Sequence, residues 1–122
     1  MKSNLKRGDI VLASFPTQVP PMHEQQGIRP AIIVAVPPGR VRYPLIVVVP
    51  LTTQMGTWTA ANPSIYPIFQ KGTGNLTKTS VALLDQVRSI DVPRVRRLIG
   101  RLNVRDYSAI AVGITQLISQ PT

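Results

Sequence analysis

The densest apolar stretches of the chain are short and rich in β-branched residues. Residues 29–36 and residues 45–52 are nearly continuous runs of Ile, Val, Leu and Ala bounded by Pro and Gly, a pattern typical of central strands that are buried on both faces. Residues 8–15 begin with a Gly-Asp turn signal and predict a first strand that ends at a proline. The proline-broken residues 17–26 predict a mobile loop, and residues 37–44 predict a short basic hairpin connection.

The second half of the chain predicts shorter or less certain strands. Residues 64–69 contain a proline that restricts them to an edge strand, and residues 80–90 predict one longer strand. Residues 71–75 form the loop between them. Residues 95–102 fit either a final strand or a short amphipathic segment, and the pattern alone leaves both open.

The chain ends in a predicted amphipathic helix that Asn103 caps. Apolar residues recur there at spacings of three and four, which places them on one face. They are Tyr107, Ile110, Ala111, Ile114, Leu117 and Ile118. Many short strands followed by one terminal helix, without strand–helix–strand alternation, predict a mostly β fold, a small barrel or sandwich.

Length and composition narrow the class of protein. The 122 residues suit one domain, residues 1–122, with a single hydrophobic core. The chain has no cysteine, which excludes thiolate chemistry and fits a reducing cytoplasm. A charged segment follows the basic N-terminus where a signal peptide needs apolar residues, and the apolar run at 43–51 is too short to span a bilayer, so we expect a soluble protein.

The charge balance points to a polyanionic partner. Fourteen Lys and Arg against five Asp and Glu give a formal charge of +9, and ten of the fourteen are arginine, whose planar guanidinium suits phosphate contacts. Nucleic acid is therefore the first partner to consider, although a basic surface that only keeps the protein soluble fits the same charge. The five carboxylates show no paired-acid or His-rich spacing, which argues against a metal nuclease.

Four segments together resemble the MazF/PemK (Kid-like) toxin family. Residues 23–30, H-E-Q-Q-G-I-R-P, are similar to that family's E-Q-x-G-x-R-P signature with its frequent preceding histidine. Three further matches follow the family's order along nearly the whole chain. They are R-G-D-I at 7–10, V-P-L-T-T-Q at 49–54 and L-D-Q-V-R-S-I-D at 84–91.

The resemblance implies an SH3-like small β-barrel with a C-terminal α-helix, and a homodimer. It also implies the toxin of a type II toxin–antitoxin system, which cuts single-stranded RNA at short sequences without a cofactor, stops translation and is inhibited by a cognate antitoxin. By the same resemblance, Arg29 and Thr52 are the catalytic pair. Thr53 is the alternative assignment, one position along.

Metal-free RNA cleavage uses the ribose 2′-hydroxyl as the nucleophile and yields a 2′,3′-cyclic phosphate and a 5′-hydroxyl. Arginine stays protonated, so Arg29 suits charge stabilisation on the phosphate better than proton removal; its structural alternative is an ion pair with Glu24. Thr52 can hold a phosphate oxygen or the 2′-hydroxyl. His23, the only histidine, is the natural acid or base, although a lone surface histidine is more often inert.

The remaining candidate residues are expected to contact RNA. Asp85 could orient a catalytic group, accept from a base amine or instead pair with Arg88, and Gln86 could read a base edge. Some relatives carry an arginine where this chain has Leu83, so a second phosphate clamp is missing here or supplied elsewhere. The aromatic residues Tyr43, Trp58 and Tyr66 offer stacking faces. The full RNA-binding set comprises Glu24, Gln25, Thr53, Gln54, Asp85, Gln86, Arg88, Arg40 and Arg42.

Two other classes of protein fit part of the pattern. A nucleic-acid-binding barrel without catalysis has the same charge and β content. A gyrase-directed toxin of the CcdB type shares the fold but acts through protein contact. The presence of both Arg29 and Thr52 favours the nuclease over these two.

Overall fold

The computed structural model describes residues 4–17, 19–20 and 22–121. Seven strands and two helices form the regular structure, with short 3₁₀ turns between several of them. In chain order they are β1 (Asp9–Phe15), β2 (Gly27–Ala35), β3 (Leu45–Thr52), α1 (Thr57–Ala61), β4 (Ile68–Phe69), β5 (Ser80–Ala82), β6 (Arg88–Asp91), β7 (Val95–Arg101) and α2 (Val104–Ile118).

All strand pairs in the sheet are antiparallel. The order is β4-β5-β3-β2-β1-β7, and β6 pairs with β3 alongside β5. The chain passes from β2 to β3 through exposed residues 36–44, so the predicted hairpin connection is confirmed.

The central strands are buried on both faces, as their composition predicts. Successive residues of a strand point to opposite faces, and Ile32 and Val49 belong to one apolar cluster whereas Ile33 and Val48 belong to the other. The first cluster lies beneath α2 and includes Ile110, while the second joins residues of β1, β2, β3 and β6 to Leu5. The continuous apolar runs of β2 and β3 therefore fill two cores at once.

The predicted single strand over residues 80–90 is wrong. It is divided into β5 and β6 by a 3₁₀ turn at Leu84–Gln86. Ala82 pairs with Leu51 and Arg88 with Val48, so five residues of the chain span the same distance as two residues of β3. The turn buries Leu84 completely in the core under α2, and the polar residues next to it are left at the surface.

Two other elements differ from the prediction, and a third resolves a choice that the sequence pattern left open. The predicted edge strand at 64–69 is only the two residues of β4, paired with β5 alone, because Pro67 has no N–H for a ladder. The five-residue helix α1 was not predicted. Residues 95–102, which fitted a strand or an amphipathic segment, form β7 against β1.

The predicted C-terminal helix is confirmed as α2, and its cap is the expected one. Tyr107, Ile110 and Ile114 of its predicted apolar face pack against the first cluster, whereas Ala111 and Ile118 are exposed. The Asn103 side chain accepts a hydrogen bond from the Asp106 amide at 2.7 Å. Gly113 lies where α2 crosses the barrel, and a Cβ atom there would be 2.5 Å from the Ser64 carbonyl oxygen, so the close approach requires glycine. Within the described ranges, no helix is long and apolar enough to cross a membrane.

Candidate active site

A cavity of about 460 Å³ opens between the loop before β2, the end of β3, helix α1 and the 3₁₀ turn at Leu84–Gln86. We call it the site cavity. Six predicted site residues line it: His23, Gln25, Thr52, Gln54, Asp85 and Gln86. These residues come from three separate segments of the sequence, and the fold brings them together.

Thr52 lines this cavity, whereas Arg29 is outside its lining, on the adjacent strand β2. The pairing of β2 with β3 reaches Ala31 and Pro50, so Arg29 and Thr52 each lie two residues beyond that pair. Thr52 is buried, and its Oγ1 accepts a hydrogen bond from the Gln54 amide at 3.2 Å. The threonine oxygen is thereby held in place, and its hydroxyl hydrogen can still be donated.

The guanidinium of Arg29 is exposed and anchored at one nitrogen. Its Nε donates to the Gln26 carbonyl oxygen at 3.1 Å. No ion pair joins Arg29 to Glu24 in the described part of the chain, where the one salt bridge is Arg101–Asp9. The terminal guanidinium nitrogens therefore remain available for an anion.

The loop that carries His23 is tied to the barrel by Gln86. The Gln86 Oε1 accepts a hydrogen bond from the Gln25 amide at 2.8 Å, and its Nε2 donates to the His23 carbonyl oxygen at 3.4 Å. Both ends of the side chain expected to read a base edge are thus bonded to loop backbone. The Gln25 Oε1 is buried without a hydrogen-bond partner among the described residues.

Asp85 is held by a tyrosine rather than by an arginine. The Tyr66 hydroxyl donates to Asp85 Oδ2 at 2.5 Å, and this hydrogen bond, together with desolvation, raises the pKa of Tyr66 above its ordinary value. The phenol therefore stays protonated and remains a donor. The alternative pairing of Asp85 with Arg88 does not occur in the described residues.

Three residues outside the predicted site set complete the cavity wall: Trp58, Tyr66 and Leu83. The rings of Trp58 and Tyr66 meet edge to face, with centroids 4.8 Å apart. Both were expected only as stacking faces, and neither has a local motif that would place it in this cavity. Leu83 is buried, so this part of the wall is apolar where some relatives are expected to have an arginine.

A second cavity of about 450 Å³ lies on the other side of Asp85 and Gln86. Glu24 and Arg88 line it, and the Arg88 guanidinium lies 5.7 Å from the centroid of the Phe15 ring. Arg88 therefore lines the second cavity and not the site cavity.

Three predicted RNA-binding residues lie outside both linings. Thr53 is exposed beside Thr52. Arg40 and Arg42 are exposed in the connection between β2 and β3, where the Arg42 guanidinium lies 4.9 Å from the Tyr43 ring centroid. In the ranges that the structure describes, no three His, Asp or Glu side chains come together as metal ligands.

Two comparisons with known proteins decide the family. Residues 6–118 match the model of the PemK-like, MazF-like toxins of type II toxin–antitoxin systems. The chain is also 33% identical over 93 residues to Endoribonuclease MazF of Staphylococcus saprophyticus, a match that covers 75% of this chain and 72% of that protein. This chain belongs to the PemK/MazF toxin family. The predicted resemblance to MazF/PemK toxins is confirmed.

Solved MazF structures have the same fold. MazF from Deinococcus radiodurans superimposes with a TM-score of 0.70 at 19% identity, covering 95% of this chain and 97% of that one. The Mycobacterium tuberculosis toxin MazF-mt6 gives 0.65 at 20% identity, covering 93% and 99%. A mycobacterial endoribonuclease in complex with its cognate antitoxin gives 0.62 at 14%, covering 95% and 94%. The predicted fold class, a small β-barrel of the PemK/MazF toxin type with a C-terminal helix, is confirmed.

Proposed function

We propose that this PemK/MazF family member is the toxin of a type II toxin–antitoxin system and cuts single-stranded RNA in the site cavity without a metal. The main support is that Thr52, His23 and four other residues of the motifs line one cavity, with Arg29 on the adjacent strand β2. The proposal includes action in the cytoplasm, on messenger RNA, by one domain spanning residues 1–122.

In this mechanism the ribose O2′ attacks the adjacent phosphorus, the bond from phosphorus to O5′ breaks, and a 2′,3′-cyclic phosphate and a 5′-hydroxyl result. Negative charge increases on the phosphoryl oxygens as the new bond forms. The exposed guanidinium of Arg29, anchored at Nε, presents its terminal nitrogens to these oxygens. Because arginine keeps its proton, Arg29 acts as a clamp.

Two further side chains handle the hydroxyl groups. The Gln54 amide donates a hydrogen bond to the Thr52 hydroxyl oxygen. The hydroxyl hydrogen of Thr52 is then directed to a phosphate oxygen or to O2′. His23 lines the same cavity and is suited to take the proton from O2′ or to give one to O5′. Gln86 positions His23 by bonding the backbone of its loop.

RNA outside the reacting nucleotide is proposed to follow the basic surface. Arg88 and Glu24 in the second cavity, and Thr53 and Gln54 beside the catalytic threonine, are the nearest contacts. Arg40 and Arg42 would reach the backbone from the exposed connection between β2 and β3. The proposal also includes a homodimer and inhibition by a cognate antitoxin. One of the similar solved endoribonucleases is in complex with its cognate antitoxin.

The experiment that tests this function is primer extension on a long RNA incubated in EDTA with the wild-type protein, Arg29→Ala and Thr52→Ala. We expect discrete stops at one recurring short sequence, and a loss of about 100- to 1000-fold in kcat/KM for Arg29→Ala. Arg96→Ala and Thr115→Ala, which change an exposed arginine of β7 and an exposed threonine of α2, are the matched controls and should cut normally.

Each contrary result points to a different function. RNA that is bound but left intact would indicate a non-catalytic binding barrel. RNA that is neither bound nor cut would favour a gyrase-directed toxin, and loss of cleavage in EDTA would indicate a metal nuclease.

A further inference from the structure

One part of the site cavity wall combines the Asp85 carboxylate with the rings of Tyr66 and Trp58. We propose that Asp85, held by Tyr66 beside Trp58, makes this wall a subsite for a nucleobase that carries an amino group, so that uracil is disfavoured at one position of the RNA. This inference rests on the proposed function and specifies which base the same cavity accepts.

One oxygen of the Asp85 carboxylate is fixed by a hydrogen bond, and the other has no partner among the described residues. Oδ2 accepts the Tyr66 hydroxyl at 2.5 Å, across 19 positions of sequence. Within the described residues, Oδ1 accepts no hydrogen bond, and Asp85 is exposed. An ionised carboxylate can only accept, so a ligand must supply donors to this free oxygen.

The bases differ in what they offer such an acceptor. Guanine, adenine and cytosine each carry an exocyclic amino group, and a carboxylate accepts from such a group when a base edge is read. Uracil carries a single ring N–H between two carbonyl oxygens, and those oxygens would face the negative charge of Asp85. The chemistry of the wall therefore separates uracil from the other three bases.

A phosphate does not suit this position. Among the described residues, Asp85 is the only Asp or Glu that lines the site cavity, in a chain whose formal charge is +9. One carboxylate there repels the RNA backbone, while the exposed guanidinium of Arg29 on the neighbouring strand attracts it. The backbone should thus lie on the arginine side, and a base should point toward Asp85.

Two aromatic rings provide a surface on which that base can stack. Trp58 and Tyr66 meet edge to face at 4.8 Å, so only one of their four ring faces is covered by the other ring. Trp58 is 39% exposed. A Cβ atom at Gly56 would be 2.7 Å from Trp58 Nε1, so the indole lies against the bare glycine backbone, which limits the positions that the ring can take.

The test is cleavage of a randomised RNA library in EDTA, followed by sequencing of the cut ends. For the wild-type protein we expect one position near the cut at which uracil is disfavoured on the order of 10-fold. Asp85→Asn presents both a donor and an acceptor, which uracil can satisfy, so its discrimination should fall to within about threefold. Tyr66→Phe keeps the ring and loses the hydroxyl, so its discrimination against uracil should lie between those of the wild type and Asp85→Asn.

Asp91→Asn is the matched control. It also removes one exposed carboxylate, at the end of β6 and outside both cavity linings, and should leave the base preference unchanged. Thermal unfolding of each variant verifies that the fold is intact.

A second arm separates this inference from the nuclease itself. Arg29→Ala, with and without Asp85→Asn, is used to select bound RNA from the same library, and the bound pool is sequenced. Depletion of uracil that Asp85→Asn relieves supports the subsite even when nothing is cut. Cleavage by the wild type with no uracil bias, or with a bias that Asp85→Asn leaves unchanged, overturns the subsite and keeps the nuclease. If the wild type cuts no RNA and the variants select none, both the subsite and the nuclease are overturned.

Discussion

Asp9 and Asp85 occupy opposite environments on the same barrel. Asp9 is 1% exposed, and both of its oxygens are bonded, Oδ1 to Arg101 Nε at 2.7 Å and Oδ2 to the Lys6 amide at 2.8 Å. Asp85 is exposed, and one of its oxygens is bonded to a tyrosine while the other accepts no hydrogen bond from the described residues. Both oxygens of the buried Asp9 carboxylate have a hydrogen-bond partner, whereas only one oxygen of the exposed Asp85 carboxylate has a partner among the described residues.

The difference separates a carboxylate that supports the fold from one that serves a ligand. A buried charge is tolerated only when it is paired and hydrogen-bonded, so Asp9 fixes the N-terminal segment and the end of β7 against each other. A carboxylate that is oriented by one partner and still has an unused acceptor is suited to recognition. This contrast predicts opposite responses to mutation.

The largest effect on stability is expected from Arg101→Ala. Asp9 would remain buried with only the Lys6 amide as a partner, and loss of the guanidinium should lower the free energy of unfolding by about 3 kcal/mol. Urea denaturation followed by circular dichroism measures this change. Arg96→Ala, another exposed arginine of β7, should change stability by less than about 0.5 kcal/mol. Equal losses in the two variants would show that Asp9 does not depend on its partner.

A smaller effect, on activity, is expected from Gln86→Leu. Leucine removes both hydrogen bonds that tie the loop of His23 to the barrel, and kcat should fall about tenfold because the catalytic loop is no longer held in position. KM should change less, because Gln86 itself is not proposed to bind RNA in this arrangement. Steady-state kinetics on a short RNA containing the mapped site separates the two constants.

Gln86→Glu sharpens that prediction. The carboxylate keeps the acceptor for the Gln25 amide at 2.8 Å and loses the donor to the His23 carbonyl oxygen at 3.4 Å. It also adds a second negative charge to the site cavity, so kcat should lie closer to the wild-type value while KM rises. If Gln86→Leu raised KM and left kcat unchanged, Gln86 would contact RNA directly, as the sequence motif predicts.

The smallest effect is expected on the stability of Asp85→Ala. Because Asp85 is exposed and Tyr66 can bond to water instead, the free energy of unfolding should change by no more than about 0.5 kcal/mol. The same urea titration measures it. A loss comparable with that of Arg101→Ala would place Asp85 among the structural carboxylates and remove the contrast with Asp9.

The central strands and the last helix could be predicted from sequence because local patterns determine them. The β-branched runs of β2 and β3 and the Asn103 cap with its apolar spacing are visible within windows of about ten residues. The break at Leu84–Gln86 could not be predicted, because apolar residues lie on both sides of it and only the burial of Leu84 under α2 requires the turn.

Contacts between distant segments of the chain limited prediction of the site. The motifs identified six residues of the cavity wall, yet Tyr66 and Asp85 are 19 positions apart and Gln25 and Gln86 are 61 positions apart. No periodicity relates such pairs. Helix α1, which carries Trp58, is five residues long and too short to show a helical repeat.

The most direct test of the proposed chemistry uses an RNA with one 2′-deoxyribose on the 5′ side of the mapped cleavage position. Since O2′ of that nucleotide is the proposed nucleophile, we predict that cleavage stops at this position and continues at unmodified copies of the same sequence in EDTA. The products at those copies should carry a 2′,3′-cyclic phosphate and a 5′-hydroxyl. Cleavage at the deoxy position would show that another nucleophile attacks the phosphorus and would contradict the mechanism assigned to Arg29, Thr52 and His23.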